Sequence, residues 1–149
     1  MTKKDDEKRG QKLLEEQAEA REHTAKKRGV KPGEVSVEVY TPVEIVDFMN
    51  KSLRHIIKQE FGQDMGNVEY IDPFCGSGIF TERLIEKEMT KDEVKRATFD
   101  NIDINPVAVK NANKNINRVY KKKTGKLPDK PIARKSNVFT EYELSLIHI

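Results

Sequence analysis

Two periodicities alternate along the chain after about residue 40, and together they predict alternating helices and strands. An apolar face at helical spacing runs from Ile45 to Ile57, and the stretch 68–71 that follows has side chains suited to a short buried strand. A second helical pattern begins at Gly78, and a second strand is predicted over 97–104. Because short strands that alternate with amphipathic helices are joined by right-handed crossovers, the pattern predicts a parallel sheet with flanking helices.

The second half of the chain continues this alternation. Asn105 and Pro106 have the chemistry of an N-cap and a first helical residue, and an apolar face follows as far as Tyr120. After a turn-rich loop over 125–131, the stretch 132–138 is predicted to form the third strand. The predicted parallel strands therefore lie near 68–71, 97–103 and 132–138, beside a helix over about 42–61.

The first 31 residues form a charged arm in which acidic and basic side chains interleave. Leu13 and Leu14 are its only large apolar side chains before Val30. Helix propensity is good over 13–28, but this composition leaves almost nothing to bury. The sequence therefore predicts a solvated helix or a disordered arm, followed by the main domain over 32–149.

Composition limits the classes of function. At 149 residues, with 36% charged and 36% apolar side chains, the chain is at most one ordinary domain. It has no apolar run long enough to span a membrane and no signal peptide, so a cytoplasmic location is the expectation. The single cysteine excludes an internal disulfide, and the three scattered histidines lack metal-ligand spacing. The net charge of +3 is only weak support for a nucleic-acid partner.

The segment after the first predicted strand carries the candidate chemistry. Asp72 and Pro73 end that strand, since proline has no N–H for a central ladder. Gly76 and Gly78 permit a tight turn in which the backbone approaches a ligand closely. Strand, turn and helix in this order place backbone N–H groups at the carboxyl edge of a sheet, where open α/β sheets bind nucleotides. An ordinary turn is the alternative. A dinucleotide fingerprint fits badly, because Thr81 stands at its third glycine.

Asp-Pro-Phe-Cys-Gly-Ser-Gly, residues 72–78, resembles motif I of class I S-adenosylmethionine-dependent methyltransferases. It is most similar to the enzymes that methylate amino groups of nucleic-acid bases. The resemblance implies that Gly76 and Gly78 line the methionine part of S-adenosyl-L-methionine. It also implies that Asp72 faces the ammonium group of the cofactor, with Pro73 and Phe74 nearby. A carboxylate at a strand end suits a cationic ammonium and sulfonium.

The residues that lead into the first main helix carry a second likeness. Three valines alternate with polar residues over 35–39 and predict a short strand or an extended lead-in. Thr41 is a plausible N-cap, with Pro42 at the first helical position. Thr-Pro-Val-Glu-Ile-Val-Asp-Phe-Met, residues 41–49, resembles motif X of type I restriction modification subunits and of helicase–methylase restriction fusions. The resemblance implies that Thr41 and Pro42 help to hold the cofactor carboxylate at a helix N-terminus.

Two further positions belong to the same likeness. Asp-Ile-Asn-Pro, residues 103–106, resembles motif II of the same enzymes. An acid at the end of the second strand can accept hydrogen bonds from ribose hydroxyls. The resemblance therefore implies that Asp103 binds the ribose. A solvated turn aspartate is the alternative, and Asp100 lies too early in the strand. Related enzymes commonly carry an acid after the third strand for the adenine amino group. Here Asn137 stands at that point, and its amide oxygen could accept the same hydrogen bond.

The base-positioning motif of related enzymes is not present in the sequence. Motif IV, usually (Asn/Asp/Ser)-Pro-Pro-(Tyr/Phe/Trp), holds the flipped base, and no Pro-Pro occurs within residues 1–149. No catalytic residue is therefore assigned. The apolar stretch 144–149 lies where a fourth strand should begin. The resemblance covers about 35–139, the cofactor half of the fold.

These motifs together predict the S-adenosyl-L-methionine-binding part of a site-specific DNA methyltransferase that acts on the exocyclic amine of adenine. This part is expected to be inactive alone. Its parent would belong to a restriction–modification system and bind DNA beside specificity, helicase or nuclease parts. Two alternatives stay open: an RNA guanine exocyclic-amine methyltransferase, and a non-catalytic module for cofactor binding or protein interaction.

Overall fold

The computed structural model describes residues 2–31 and 38–141. Its helices are α1 (Lys3–Arg28), α2 (Val43–His55), α3 (Ile79–Arg83), α4 (Lys91–Arg96) and α5 (Pro106–Thr124). Its strands are β1 (Glu69–Asp72), β2 (Thr98–Asp103) and β3 (Ala133–Lys135). Single π-helical turns extend α2 and α3 over Ile56–Glu60 and Leu84–Glu88, and a 3₁₀ turn covers Met65–Asn67. The predicted lead-in over 35–37 and the apolar stretch 144–149 lie outside the described residues.

The strands form a parallel sheet in the order β1-β2-β3. Tyr70 of β1 stands opposite Phe99 of β2, and Asn101 of β2 stands opposite Ala133 of β3. The stacked rings of Tyr70 and Phe99, with centroids 5.4 Å apart, fix the first of these pairings. The predicted α/β fold with parallel strands and flanking helices is therefore confirmed.

Two element boundaries differ from the prediction. The third strand ends at Lys135 rather than near 138, because the side-chain oxygen of Asn137 accepts the N–H of Phe139 (3.1 Å) and a helical turn begins there. The prediction that Thr41 caps α2 is wrong by one residue. Pro42, with φ −56° and ψ 147°, is the N-cap, so Thr41 lies outside the capping position, and among the described residues no side chain caps the helix.

The stretch 89–96, predicted to be a polar connection, contains the short helix α4. The Thr90 hydroxyl accepts the N–H of Glu93, and the Glu93 carboxylate accepts the N–H of Thr90 at 2.8 Å, which forms a capping box. Val94 is fully buried and anchors the turn against the core. The Thr-x-x-Glu signature was present in the sequence and could have predicted this helix start.

α5 packs against the sheet and against α3, and a glycine sets how close it comes. Gly78 has φ +75°, and a Cβ added there would lie 2.9 Å from Cδ1 of Ile116 and 3.2 Å from Cα of Ala112. The left-handed backbone and this close approach both require glycine at the start of α3. The contact places Gly78, at the end of the loop, against the middle of α5.

α1 is a 26-residue helix that lies against α5 and α2, and the expectation of a solvated arm is wrong for its inner face. Arg9, Leu13, Glu16 and Ala20 are buried, at the 4–3–4 spacing of one helix face. Two of these four side chains are charged, so a pattern of apolar residues alone did not show the buried face. None of the described helices is long and apolar enough to cross a membrane.

The charged side chains of that face belong to a buried ionic cluster. Glu82 of α3 is completely buried and receives three hydrogen bonds from Arg9. They run from Nη2 to Oε2 at 2.7 Å, from Nε to Oε1 at 2.9 Å and from Nε to Oε2 at 3.1 Å. Arg118 of α5 donates to the same carboxylate at 2.7 Å. The cluster joins α1, α3 and α5, and it compensates the cost of burying charge.

Candidate functional site

The turn after β1 is tied to the end of β2 by two backbone donors. The N–H of Cys75 donates to the carbonyl of Ile102 at 2.9 Å, and the N–H of Gly76 donates to Oδ2 of Asp103 at 2.9 Å. Gly76 has φ +53°, a left-handed conformation that favours glycine. Gly76 and Asp103, predicted independently from two motifs, are thus in direct contact at the carboxyl edge of the sheet.

Asp103 is half-buried and accepts hydrogen bonds from two backbone segments, the glycine loop and the start of α5. Its Oδ1 accepts the N–H of Asn105 at 2.8 Å, and its Oδ2 accepts Gly76. Burial raises the pKa of Asp103, while these backbone hydrogen bonds act in the opposite direction. Each carboxylate oxygen keeps a second lone pair, so the group can still accept two hydroxyl donors from a ligand.

Asp72, at the end of β1, carries an unsatisfied oxygen. Its Oδ1 accepts the N–H of Phe74 at 3.3 Å, whereas Oδ2 is buried and has no hydrogen-bond partner among the described residues. Burial raises the pKa of Asp72, and the nearby charge of Asp103 raises it further. A buried carboxylate oxygen without a partner is costly, and a cationic ligand group would compensate it.

Tyr40 covers the loop and was not predicted as a site residue. A Cβ added to Gly76 would lie 2.7 Å from Cε1 of Tyr40, so the aromatic ring lies against the glycine backbone. The Tyr40 hydroxyl is buried without a partner among the described residues, and burial raises its pKa far above the ordinary range. The only signal in the sequence was that an aromatic residue directly precedes Thr41 and Pro42. This position alone does not predict a contact with the glycine loop.

An exposed aromatic pair borders the site on the side of β3. Phe74 and Phe139 are 65% and 71% exposed, and their ring centroids lie 5.7 Å apart. Asn137, at the edge of this pair, already uses its amide oxygen to accept the N–H of Phe139. Apolar ring faces of this kind, exposed beside polar acceptors, are suited to an aromatic ligand group.

The structure brings most of the predicted site residues to one edge. The contacts described above join Asp72, Phe74, Gly76 and Asp103, while Pro73 lies within the turn and Asn137 contacts Phe139. Thr41 and Pro42 directly follow Tyr40, which places the start of α2 beside the loop. Gly78, in contrast, packs against α5. Among residues 2–31 and 38–141, no group of three or more His, Cys, Asp and Glu side chains is arranged to hold a metal ion.

Asp72→Asn is expected to raise the stability of the ligand-free protein, because the change removes a buried charge with an unpartnered oxygen. The folded protein holds the Asp72 proton more tightly than the unfolded chain, so its carboxylate costs stability as the pH rises above its ordinary value of 3.8. The advantage of the variant should therefore be largest at neutral pH and shrink as the pH falls towards about 4. Thermal melts across this range measure it.

Asp100→Asn is the matched control on β2. The Asp100 carboxylate forms an ion pair with Arg134 (2.8 Å), so its removal should lower stability or leave it unchanged. A melting temperature of Asp72→Asn below that of the wild type at pH 7 would contradict the assignment of an unsatisfied charge.

No family model matches the sequence, and no curated protein matches it. Solved structures do match. One is an electron cryomicroscopy structure of a DrdV–DNA complex, with 24% identity, a TM-score of 0.58, and 67% of this chain and 10% of that chain covered. A second is a nuclease-deletion mutant of the Type ISP restriction-modification enzyme LlaGI in complex with a DNA substrate mimic. It has 24% identity and a TM-score of 0.59, and covers 70% of this chain and 10% of that chain.

A third is the ATP-dependent Type ISP restriction-modification enzyme LlaBIII bound to DNA. It has 23% identity and a TM-score of 0.61, and covers 75% of this chain and 8% of that chain. The chain thus spans about a tenth of the length of these proteins. At such identities the likeness concerns the fold: this chain shares its partial α/β fold with a segment of large restriction-modification enzymes.

Proposed function

We propose that this chain is the S-adenosyl-L-methionine-binding part of a DNA methyltransferase of a restriction–modification system, one that modifies the exocyclic amine of adenine. The observation that carries the proposal is the buried, unpartnered Oδ2 of Asp72 beside a glycine loop that is hydrogen-bonded to Asp103. The likeness in fold to restriction-modification enzymes bound to DNA supports the same system and the same nucleic acid.

The residues present fit the charges of the cofactor. Asp72 would accept its ammonium group, which would satisfy the orphaned oxygen, and Asp103 would accept the ribose hydroxyls with its remaining lone pairs. The start of α2, which no side chain caps, offers free N–H groups to the carboxylate. An anionic ligand group in place of the ammonium group would repel the Asp72 carboxylate and leave its oxygen uncompensated.

The adenine would lie beside the aromatic pair. Phe74 and Phe139 present exposed ring faces there, and Asn137 keeps one lone pair on its amide oxygen after accepting the N–H of Phe139. When bound, the cofactor supplies an electrophilic methyl group. The part of this chain is to bind and orient it, while the parent protein would supply the group that places the base.

Asp103→Ala is expected to weaken binding of S-adenosylhomocysteine at least about tenfold. Loss of charge-assisted hydrogen bonds to ribose hydroxyls costs roughly 1.5–3 kcal/mol. Isothermal titration on folded protein measures the change. Asp103→Asn distinguishes loss of the ligand contact from loss of the hydrogen bonds that hold the loop, because its amide oxygen can still accept one backbone N–H.

Asp129→Ala is the control for this experiment, since Asp129 is 90% exposed and its loose pair with Lys126 lies in a distant loop. Its affinity should equal that of the wild type. Equal affinity in Asp103→Ala would contradict the ribose assignment. A folded wild-type chain that bound no S-adenosylhomocysteine would contradict the proposed function as a whole.

A further inference from the structure

α1 reaches the two segments that flank the site. The side-chain oxygen of Gln17 accepts the N–H of Tyr40 at 2.6 Å, and Nε of Arg21 donates to the carbonyl of Glu38 at 2.8 Å. On the other side, Nδ2 of Asn105 donates to the carbonyl of Ala20 at 3.0 Å. The lead-in to α2 and the start of α5 are therefore fastened to one face of the same helix.

α1 is also linked to the glycine loop itself. Nδ2 of Asn115 donates to Oε1 of Glu16 at 2.9 Å and to the carbonyl of Ser77 at 3.1 Å. Glu16, Asn115 and Ser77 are all buried, and Asn115 and Ser77 are each only 1% exposed. One amide group thus bridges α1 to the residue between the two glycines of the loop.

The backbone around Tyr40 depends on these contacts with α1. Residues 38–40 belong to no helix or strand, so side chains of α1 satisfy main-chain groups that secondary structure would otherwise satisfy. The ring that this backbone carries is the one that lies against Gly76. A shift of the backbone at Tyr40 would move the ring off the loop.

We propose that α1 is a brace of the cofactor site and that Gln17 is a positioning residue within it. Gln17 holds the Tyr40 backbone, the Tyr40 ring covers Gly76, and this cover keeps the loop in the shape that receives the ligand. The identity of the ligand rests on the proposed function. The brace itself rests on contacts within the chain, so it can be tested with and without ligand.

Gln17→Leu removes the acceptor and keeps the approximate size of the side chain. We expect the dissociation constant for S-adenosylhomocysteine, measured by isothermal titration, to rise about fivefold to tenfold. Gln17→Glu keeps an acceptor for the Tyr40 N–H and should restore most of the affinity. Gln11→Leu makes the same change at an exposed position of α1 and should bind as the wild type does.

The ligand-free protein provides the second measurement. The Tyr40 amide should exchange with deuterium about tenfold faster in Gln17→Leu, because its hydrogen bond is lost, and at the wild-type rate in Gln11→Leu. Faster exchange together with the weaker binding supports the brace. Unchanged binding in Gln17→Leu would overturn the positioning role.

The two proposals can fail separately. A folded wild type that binds no S-adenosylhomocysteine contradicts the proposed function, and the Tyr40 exchange rates then decide the brace alone. Equal exchange in the wild type and in Gln17→Leu would overturn the brace. A merely structural role of Gln17 would lower the melting temperature without changing the affinity of the folded protein, and this outcome would overturn the proposal too.

Discussion

Glu82→Gln is expected to lower the free energy of unfolding by roughly 3–5 kcal/mol, the usual cost of removing one partner of a buried ion pair. Glu82 has no exposed surface, and Arg9, which is only 7% exposed, would keep its charge with Glu16, at 3.3 Å, as its one remaining carboxylate partner among the described residues. Single domains are stable by only about 5–15 kcal/mol, so this loss is a large part of the total. For a domain of this size it corresponds to a melting temperature lower by about 10–15 °C.

Glu22→Gln is the matched control, since it makes the same change in an exposed pair on α1. Glu22 contacts Lys26 at 2.8 Å, but the two side chains are 55% and 75% exposed. Its effect should be below about 0.5 kcal/mol. Thermal and urea melts of both variants measure the difference.

The double variant Arg9→Met/Glu82→Leu tests the cause of the effect. It removes the unpaired Arg9 charge, while Glu16 keeps Lys12 at 3.9 Å and the amide of Asn115 as partners. It should therefore recover much of the stability that Glu82→Gln loses. Arg118, the other partner of Glu82, is half-exposed, so water can solvate it. A small effect of Glu82→Gln, equal to that of Glu22→Gln, would show that α1 does not depend on the buried cluster.

This cluster also explains why the sequence did not predict the packing of α1. Binary patterns of apolar and polar residues assign Arg9 and Glu16 to a solvated face, and only Leu13 and Ala20 remain to be buried. The partner that makes the charged positions favourable, Glu82, lies 73 residues away in the sequence. Such a long-range compensation cannot be derived from local periodicity.

The sequence predicted the positions of those candidate site residues whose placement depends on local structure alone. A strand followed by a glycine turn and a helix has few conformations, so Asp72 and Gly76 could be placed from the sequence, and the next strand of a parallel sheet brings Asp103 to the same edge. Tyr40 could not be placed in this way. Its ring lies against Gly76, and its N–H donates to Gln17 of α1, 23 residues away. Such tertiary contacts cannot be derived from the local pattern.

β1 is at the edge of the described sheet, and its free side borders an apolar cavity of about 470 Å³. Residues of α2, α3 and β1 line it, among them Leu53, Tyr70, Phe80 and Leu84. Ile71 of β1 is 48% exposed, although a strand of this composition was predicted to be buried. An apolar strand edge of this kind is a site for pairing with further polypeptide, and it favours aggregation when left open.

The purified chain is expected to transfer no methyl group to DNA, even when it binds the cofactor. Methylation of an amine needs little acid–base chemistry, but the amine must be held in line with the sulfonium methyl group. In the methyltransferases whose motif I the sequence resembles, motif IV provides this placement, and within residues 1–149 no Pro-Pro can be matched to it. Among the described residues, no strand pairs with the side of β1 that faces away from β2.

Tritium transfer from labelled S-adenosylmethionine to unmethylated DNA measures this directly. Titration with S-adenosylhomocysteine on the same sample is the control, because it shows whether the cofactor site is formed in the protein that is assayed. A folded chain that binds the ligand and incorporates no tritium above background separates binding from base placement. Incorporation above background would mean that a base-positioning group lies within these residues, and the division of labour between this chain and its parent would then be wrong.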